Sequence, residues 1–571
     1  MRRLFSVGMV ALLIVSNTPL TSATEVIDEQ YSLSGSGDNK DKGGVIFEEN
    51  IDTLRIPSFL FSYETLPSGV ASVISSCTGL DDPACATADF VKYYAHMPPC
   101  KTAAEVDCIE SIYAIAPGSA SRIEGIFKEP IPASVTLSYQ PNSASGLPQG
   151  STSGVWEIPN IKHGGGSSSF VAISSQVGSL KRNGSSWIVQ PAGSDPLGQG
   201  DGDFRASIYP VNVASDPRYE ARRLEINSQP NGVKRWATST PGQPNHAICA
   251  IVGKGACAQR QSFPDGIKFG MVMRFSKVIS GWMHGRIDSP EISYEVTSYG
   301  TRIDMQGYST RVPILAGYAS AADFSQTDLN KIPPVRNGQV VIVNSSGDRA
   351  IEQLNIWSTA LKDKAAANPT QWTFYNLPEK DIASASSCIK NSKTLAGFVT
   401  TNSTTYTATP PIFNESTATL DYRVASPHYL ADGKVFQGKY NLYIDSKVAR
   451  CIYKFSNAPI SASVSITTAE GGQQNIATTI VNEKNGWIYL SAAGFTFSSP
   501  TLKVKLTQEV SAVAATPTPS AKPSASAEAG SSTSPVVVAK KKSTITCVKG
   551  KTIKKVSAVS PKCPAGFKKK A

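Results

Sequence analysis

Six of the ten cysteines come as three pairs with seven residues between partners: Cys77 and Cys85, Cys100 and Cys108, Cys249 and Cys257. Cys388 and Cys451 are left for the last large domain, and Cys547 and Cys563 for the tail. An even set in local pairs reads as a disulfide framework made in an oxidising compartment. Metal or redox chemistry fits the pattern poorly. There is no C-x-x-C, and His96 and His246, the histidines nearest a cysteine, stand at no zinc spacing. No metal and no cofactor are expected. Thr102-Ala103-Ala104-Glu105 is a capping-box pattern and predicts a short helix between Cys100 and Cys108. A bonded pair eight residues apart cannot lie within one helix, whose rise would be ~12 Å against the ~7 Å a disulfide allows. Either the helix ends before Cys108, with Cys108 to Ile115 as a strand, or Cys108 pairs elsewhere. The local pairing is preferred.

At 571 residues the chain is too long for one ordinary core and should hold two to four domains. Only 17% of it is charged, and long amphipathic helical patterns are scarce. The fold class expected is mainly β: two or more β-sandwich-like domains, a small disulfide-bonded N-terminal domain and minor helix. Residues 1–23 read as a secretory signal, with Arg2 and Arg3, an apolar run from Leu4 to Val15, and small residues before a cut after Ala23. That run is short of the ~20 residues a bilayer span needs, and no later stretch approaches it, so no transmembrane segment is expected in the mature protein.

Residues 24–44 read as a flexible arm and 45–129 as the small disulfide domain. Residues 130–380 alternate strand-like runs with Gly, Pro, Ser and Asn turns, which suggests a large β-rich domain. Within it, Ala350 to Ala365 predicts a helix with Ile351, Leu354, Trp357 and Leu361 on one face. Residues 387–509 read as a C-terminal β-sandwich. Its closing strand alternates Leu502, Val504 and Leu506 with Lys503, Lys505 and Thr507. A Pro/Ser/Ala linker follows over 511–542. Residues 543–571 form a two-cysteine tail module, where Lys549-Gly550-Lys551 between β-prone runs predicts a hairpin.

The whole formal charge of +11 belongs to the end of the chain. From Lys540 to Ala571 there are 11 lysines and no acid; without them 44 basic residues face 44 acidic ones. Lys549, Lys551, Lys554, Lys555, Lys562, Lys568, Lys569 and Lys570 are the residues expected to meet an anionic cell-wall polymer or envelope surface. Lysine rather than arginine points to diffuse point-charge contact. Nucleic acid is set aside as a partner, because the chain reads as exported and Phe567 is the one aromatic of the tail.

Gly494-Phe495-Thr496-Phe497-Ser498, Ala449-Arg450-Cys451-Ile452-Tyr453 and Val399-Thr400-Thr401-Asn402 resemble pieces that recur together in uncharacterised secreted proteins of actinobacteria. Ile545-Thr546-Cys547-Val548-Lys549-Gly550-Lys551 and Lys562-Cys563-Pro564-Ala565-Gly566 resemble the short Lys-rich two-cysteine tail that closes many of them after a Pro/Ser linker. The resemblance implies an exported, envelope-associated protein and carries no catalytic residue.

One side-chain cluster stands out as a ligand site. On a strand, Trp282, His284, Arg286 and Asp288 would share one face and Met283 and Ile287 the other. An aromatic plate beside donors and a carboxylate suits a sugar; a buried Trp with an Arg–Asp pair holding a turn is the preferred reading. Asp195, Asp201 and Asp203 stand in a Gly-rich loop but miss the EF-hand spacing, so a plain loop is preferred. Ser387-Cys388-Ile389-Lys390 matches S-x-x-K without its companion motifs. The expected function is therefore a secreted, envelope-associated binding or structural protein, held through its basic tail, with glycans as the further expected contact. The alternative is a secreted carbohydrate- or peptide-cleaving enzyme.

Overall fold

The computed structural model describes residues 27–33, 40–49, 58–65, 71–131, 139–190, 204–219, 222–228, 234–239, 248–457, 459–467, 473–474, 478–497, 500–508, 543–549, 552–558, 563 and 567–569. The expected signal peptide, the loop holding Asp195, Asp201 and Asp203, and the 511–542 linker lie outside the described residues. Two compact units are present, Met1–Ser511 and Ala512–Ala571.

The larger unit is mainly β. Its spine is a 16-stranded sheet. The main path runs Ala71–Cys77, Phe59–Thr65, Phe90–His96, Ser169–Asn183, Phe204–Ser215, Thr373–Asn376, Gly281–Arg286, Leu395–Thr401, Gly438–Asp445, Trp487–Phe495, Thr478–Lys484. Along this path one pairing is parallel, that of Gly281–Arg286 with Leu395–Thr401. A five-stranded sheet runs Asp288–Thr297, Gly300–Tyr308, Lys268–Phe275, Cys108–Ile115, Ile123–Glu124. A six-stranded sheet contains Thr405–Tyr406, Thr419–Ala425, Thr501–Gln508 and Ile460–Thr467 in that order, with Ile412–Asn414 beside Thr419–Ala425.

The layering follows from side-chain alternation. Met283, Phe374, Phe398 and Tyr443 of the central sheet pack with Phe269, Met271, Met273 and Met305 of the five-stranded sheet. Their chain neighbours Trp282, Tyr375, Val399 and Leu442 pack with Leu420, Tyr422, Leu502 and Val504 of the six-stranded sheet. Adjacent residues thus serve opposite cores, and Leu395–Thr401 is buried at every position. Each large apolar side chain so buried is worth ~1.5–3 kcal/mol. Strand pairing crosses the positions expected as boundaries: Phe90–His96 pairs with Ser169–Asn183, and Gly281–Arg286 with Leu395–Thr401. The turn-rich stretches there reverse the chain without interrupting the core.

The stretch read as a flexible arm is docked in two places. Buried Glu29 accepts hydrogen bonds from the Thr370 N–H (3.0 Å) and hydroxyl (2.7 Å). Strand Lys42–Glu48 begins inside the expected arm and lies between Leu315–Ser320 and Val340–Asn344. Gly43 and Gly44, which suggested a linker, allow close approach: added Cβ atoms would lie 2.7 Å from the Val335 backbone and 2.8 Å from the Tyr318 ring.

Cys77–Cys85, Cys100–Cys108, Cys249–Cys257 and Cys388–Cys451 are disulfides as the spacing predicts, and Cys563 is also bonded. The helix expected from Thr102 is absent. The Cys100 and Cys108 Cα atoms are 5.0 Å apart, which leaves room only for turns. There Glu105 accepts the Lys101 N–H, and Cys108–Ile115 is a strand. The 350–365 helix is Asp348–Ala360, with Ile351, Leu354 and Trp357 buried; Lys362 and Asp363 take left-handed φ of 59° and 52° and end it early. A helix not foreseen, Ser446–Tyr453, starts where Asp445 accepts the Lys447 and Val448 N–H groups (2.8 and 3.0 Å). Leu502, Val504 and Leu506 are buried, while Lys503, Lys505 and Thr507 face outward.

In the small unit, Ser543–Lys549 forms the expected hairpin with Thr552–Ala558 and also pairs with Lys568–Lys569. Among the described residues no helix is long and apolar enough to cross a membrane.

Candidate functional site

The strand expected to touch a ligand is interior. Trp282 is 0%, His284 2% and Arg286 1% exposed, so no sugar ring reaches the indole. Trp282 packs against Val399, Leu442 and their neighbours, and Met283 and Ile287 enter the opposite core. Asp288 leaves the group: it begins the adjacent strand of the five-stranded sheet and pairs with Lys439. The acid that meets Arg286 is Glu49, 237 residues away in sequence.

Arg286 is the hub of a buried polar cluster. Its guanidinium donates to Glu49 Oε2 (3.1 Å) and to the carbonyls of Thr401 (3.1 Å), Ser403 (2.5 Å) and Thr404 (3.2 Å). It also lies over the Tyr406 ring, 4.3 Å from its centroid. The Tyr406 hydroxyl donates to Glu49 and contacts the Tyr375 hydroxyl. Burial, then the charge of Glu49, raises both phenols well above their ordinary range. The Tyr422 hydroxyl donates to the Thr407 carbonyl (3.0 Å) and lies 3.1 Å from His284 Nδ1. Burial, then the Arg286 charge, pushes the His284 pKa down to about 3. The imidazole is neutral and reaches no solvent. The cluster therefore acts as a clamp, fixing the Thr401–Thr407 segment onto the central sheet.

That segment forms part of the wall of a cleft of ≈550 Å³, a size typical of ligand pockets. The cleft lies where the start of the Asp348–Ala360 helix meets the outer face of the six-stranded sheet. Cross-strand register builds its floor: Thr467, Thr501 and Arg423 form one row, and Lys503, Asp421 and Ile412 the next. Leu420, Tyr422, Leu502 and Val504 alternate with these residues and are buried beneath, so the floor stands on a packed core. Ile412, 51% exposed, supplies the apolar wall, while the Phe413 ring packs on the core side against Tyr453. Thr407, Asn414 and Asp348 complete the lining.

The polar groups of the cleft are unequally engaged. Asp348 pairs with Arg423 (3.3 Å). Asp421 accepts from the Thr419 hydroxyl (2.5 Å) and the Asn414 amide (3.3 Å). The half-buried Lys503 ammonium has no hydrogen-bond or ion-pair partner among the described residues. None of these residues was singled out as a site from sequence. The wet face holding Lys503 was legible, but the pairing that sets it beside Asp421 joins strands about 80 residues apart.

Two other histidines make contacts that resemble catalytic pairs. The Ser167 hydroxyl is 2.8 Å from His163 Nε2, but His163 Nδ1 accepts the Gly165 N–H (3.0 Å). The neutral ring therefore carries its proton on Nε2, next to the Val211 carbonyl (3.1 Å), and cannot take one from Ser167. His428 Nδ1 meets the Asp363 carboxylate, which also accepts the His428 N–H (3.0 Å) and so fixes a turn. Ser387-Cys388-Ile389-Lys390 is a single helical turn whose cysteine is disulfide-bonded to Cys451. Among the described residues no group of three or more His, Cys, Asp or Glu side chains is placed to hold a metal ion. Of the tail lysines named above, Lys568 is exposed, and Lys549, Lys554, Lys555 and Lys569 lie on strands; Lys551, Lys562 and Lys570 lie outside the described residues. No family model, curated protein or solved structure matches this chain.

Proposed function

We propose that the chain is an exported, envelope-associated binding protein whose body takes a glycan into the cleft beside the six-stranded sheet, while its basic tail holds it to an anionic surface. The observation that carries this reading is the cleft itself: an apolar wall, a floor of threonine hydroxyls and charged groups, and a rigid sheet beneath. Such sites bind through a few directional polar groups set against apolar surface. The disulfides accord with an oxidising compartment, and the resemblance of the C-terminal pieces to exported actinobacterial proteins points the same way. Residues 540–571 carry the whole net charge.

A glycan array tests the cleft. Thr501 faces outward from its floor, so Thr501→Trp would fill the space without touching the core. The unaltered protein is expected to bind members of the array, and Thr501→Trp to lose them while keeping its unfolding midpoint. Binding that survives the occluding side chain would remove the cleft from the account. Turnover of a labelled polysaccharide by the purified protein would replace binding with hydrolysis.

A further inference from the structure

We infer that the glycan taken by the cleft is acidic, a saccharide bearing uronic-acid carboxylates; this rests on the reading of the cleft as a binding site. The argument is an inventory of what the cleft has left to offer. Both carboxylates are engaged: Asp348 by Arg423, and Asp421 by Thr419 and Asn414. Lys503 is the cation without a partner among the described residues, on the floor and in register with Asp421. Arg423 meets Asp348 through one terminal nitrogen at 3.3 Å, and the guanidinium is half exposed, so further N–H groups remain for a ligand. Thr467 and Thr501 stand in the row beside them. Among the charged groups of the cleft, the Lys503 ammonium is the one wholly without a partner among the described residues, and Arg423 keeps further N–H groups. A ligand that completes this set brings acceptors and negative charge, together with hydroxyls for the threonines and a C–H face for Ile412. A sugar carboxylate meets all four requirements. Hydrogen bonds between ammonium and carboxylate are about twice as strong as neutral ones, which gives the acidic sugar its advantage over a neutral one.

The test uses the full chain at near-physiological salt, with trigalacturonate and its carboxyl-reduced neutral counterpart as probes in calorimetric titrations. The tail lysines also attract anions, so the control must carry the same charge as the variant. Lys503→Glu and Lys505→Glu provide this, because Lys505 lies two residues along the same strand, exposed and outside the cleft. Trigalacturonate is expected to bind about tenfold or more tighter than the neutral trisaccharide, a preference lost in Lys503→Glu and kept in Lys505→Glu. Unchanged urea midpoints show that both variants are folded. Equal affinity for the two probes, or equal losses in the two variants, would overturn the acidic-sugar inference and leave the cleft as a binding site. If neither these probes nor the glycan array gives binding, the cleft reading fails with it.

Discussion

Arg286 shows how much one residue can be asked to hold. Its charge is fully buried, and the penalty is offset by Glu49, three carbonyls and the Tyr406 ring. Removing one partner of such a pair leaves the other uncompensated, at a cost of about 3–5 kcal/mol. The two partners should not be equivalent. Glu49→Gln keeps an acceptor for Arg286 and Tyr406, so a loss of about 3 kcal/mol is expected. Arg286→Met strands Glu49 and three carbonyls, each costing about 1–3 kcal/mol, so its loss should be clearly larger. Urea unfolding of the two variants measures the order; equal losses would mean that the carbonyls find other donors. The alternation at Trp282, His284 and Arg286 was legible in the sequence, because period-two spacing needs no partner. That neither side of the strand meets solvent was not. A strand covered on both faces reads like a half-exposed one when its inner face happens to carry polar side chains. Glu49, the acid that neutralises Arg286, stands too far along the chain for any spacing rule to connect them.

At the scale of elements, the disulfides divide by reach. Cys77–Cys85, Cys100–Cys108 and Cys249–Cys257 close separations of 8 residues, whereas Cys388–Cys451 closes one of 63 and ties the Ser387–Lys390 turn to the Ser446–Tyr453 helix. In the chain-entropy account the short loops are worth roughly 2.5 kcal/mol each and the long one about 4. Replacing Cys388 and Cys451 by serine should therefore cost more than replacing Cys77 and Cys85, by ~1.5 kcal/mol in chemical unfolding; the reverse order would show that native packing, not loop closure, decides. The three short cysteine pairs and the 348–360 helix were readable because each signal is local. The Ser446–Tyr453 helix had a local signal too, in the Asp445 cap, but it is only eight residues long and follows a β-patterned run. At Thr102–Glu105 the capping pattern did not start a helix. Glu105 caps the Lys101 N–H, and the disulfide keeps the segment in turns.

For the whole molecule, the sheet that runs from Ala71–Cys77 to Thr478–Lys484 draws strands from points spread along the chain between Phe59 and Phe495. Gly- and Pro-rich stretches mark where a chain turns, and they look the same whether the next strand joins the old sheet or a new one. That is why the strands were legible and the sheet was not. The cleft shares this limit, since its floor exists only through register between distant strands. Charge, by contrast, needs no fold to be read. The 11 lysines from Lys540 onward account for the whole excess and leave the remainder of the chain balanced. Each such lysine near an anionic surface contributes about 1 kcal/mol at low salt, and the sum falls as the Debye length shrinks from about 10 Å at 0.1 M to about 3 Å at 1 M. The measurement that bears most directly on the account is retention of the full chain and of a form lacking residues 540–571 on isolated cell envelopes across a salt gradient. The account predicts that the full chain is held at about 0.1 M and released by about 1 M salt, and that the shortened form is weakly held throughout. Equal retention of the two forms, or retention of the full chain that molar salt leaves untouched, would contradict it.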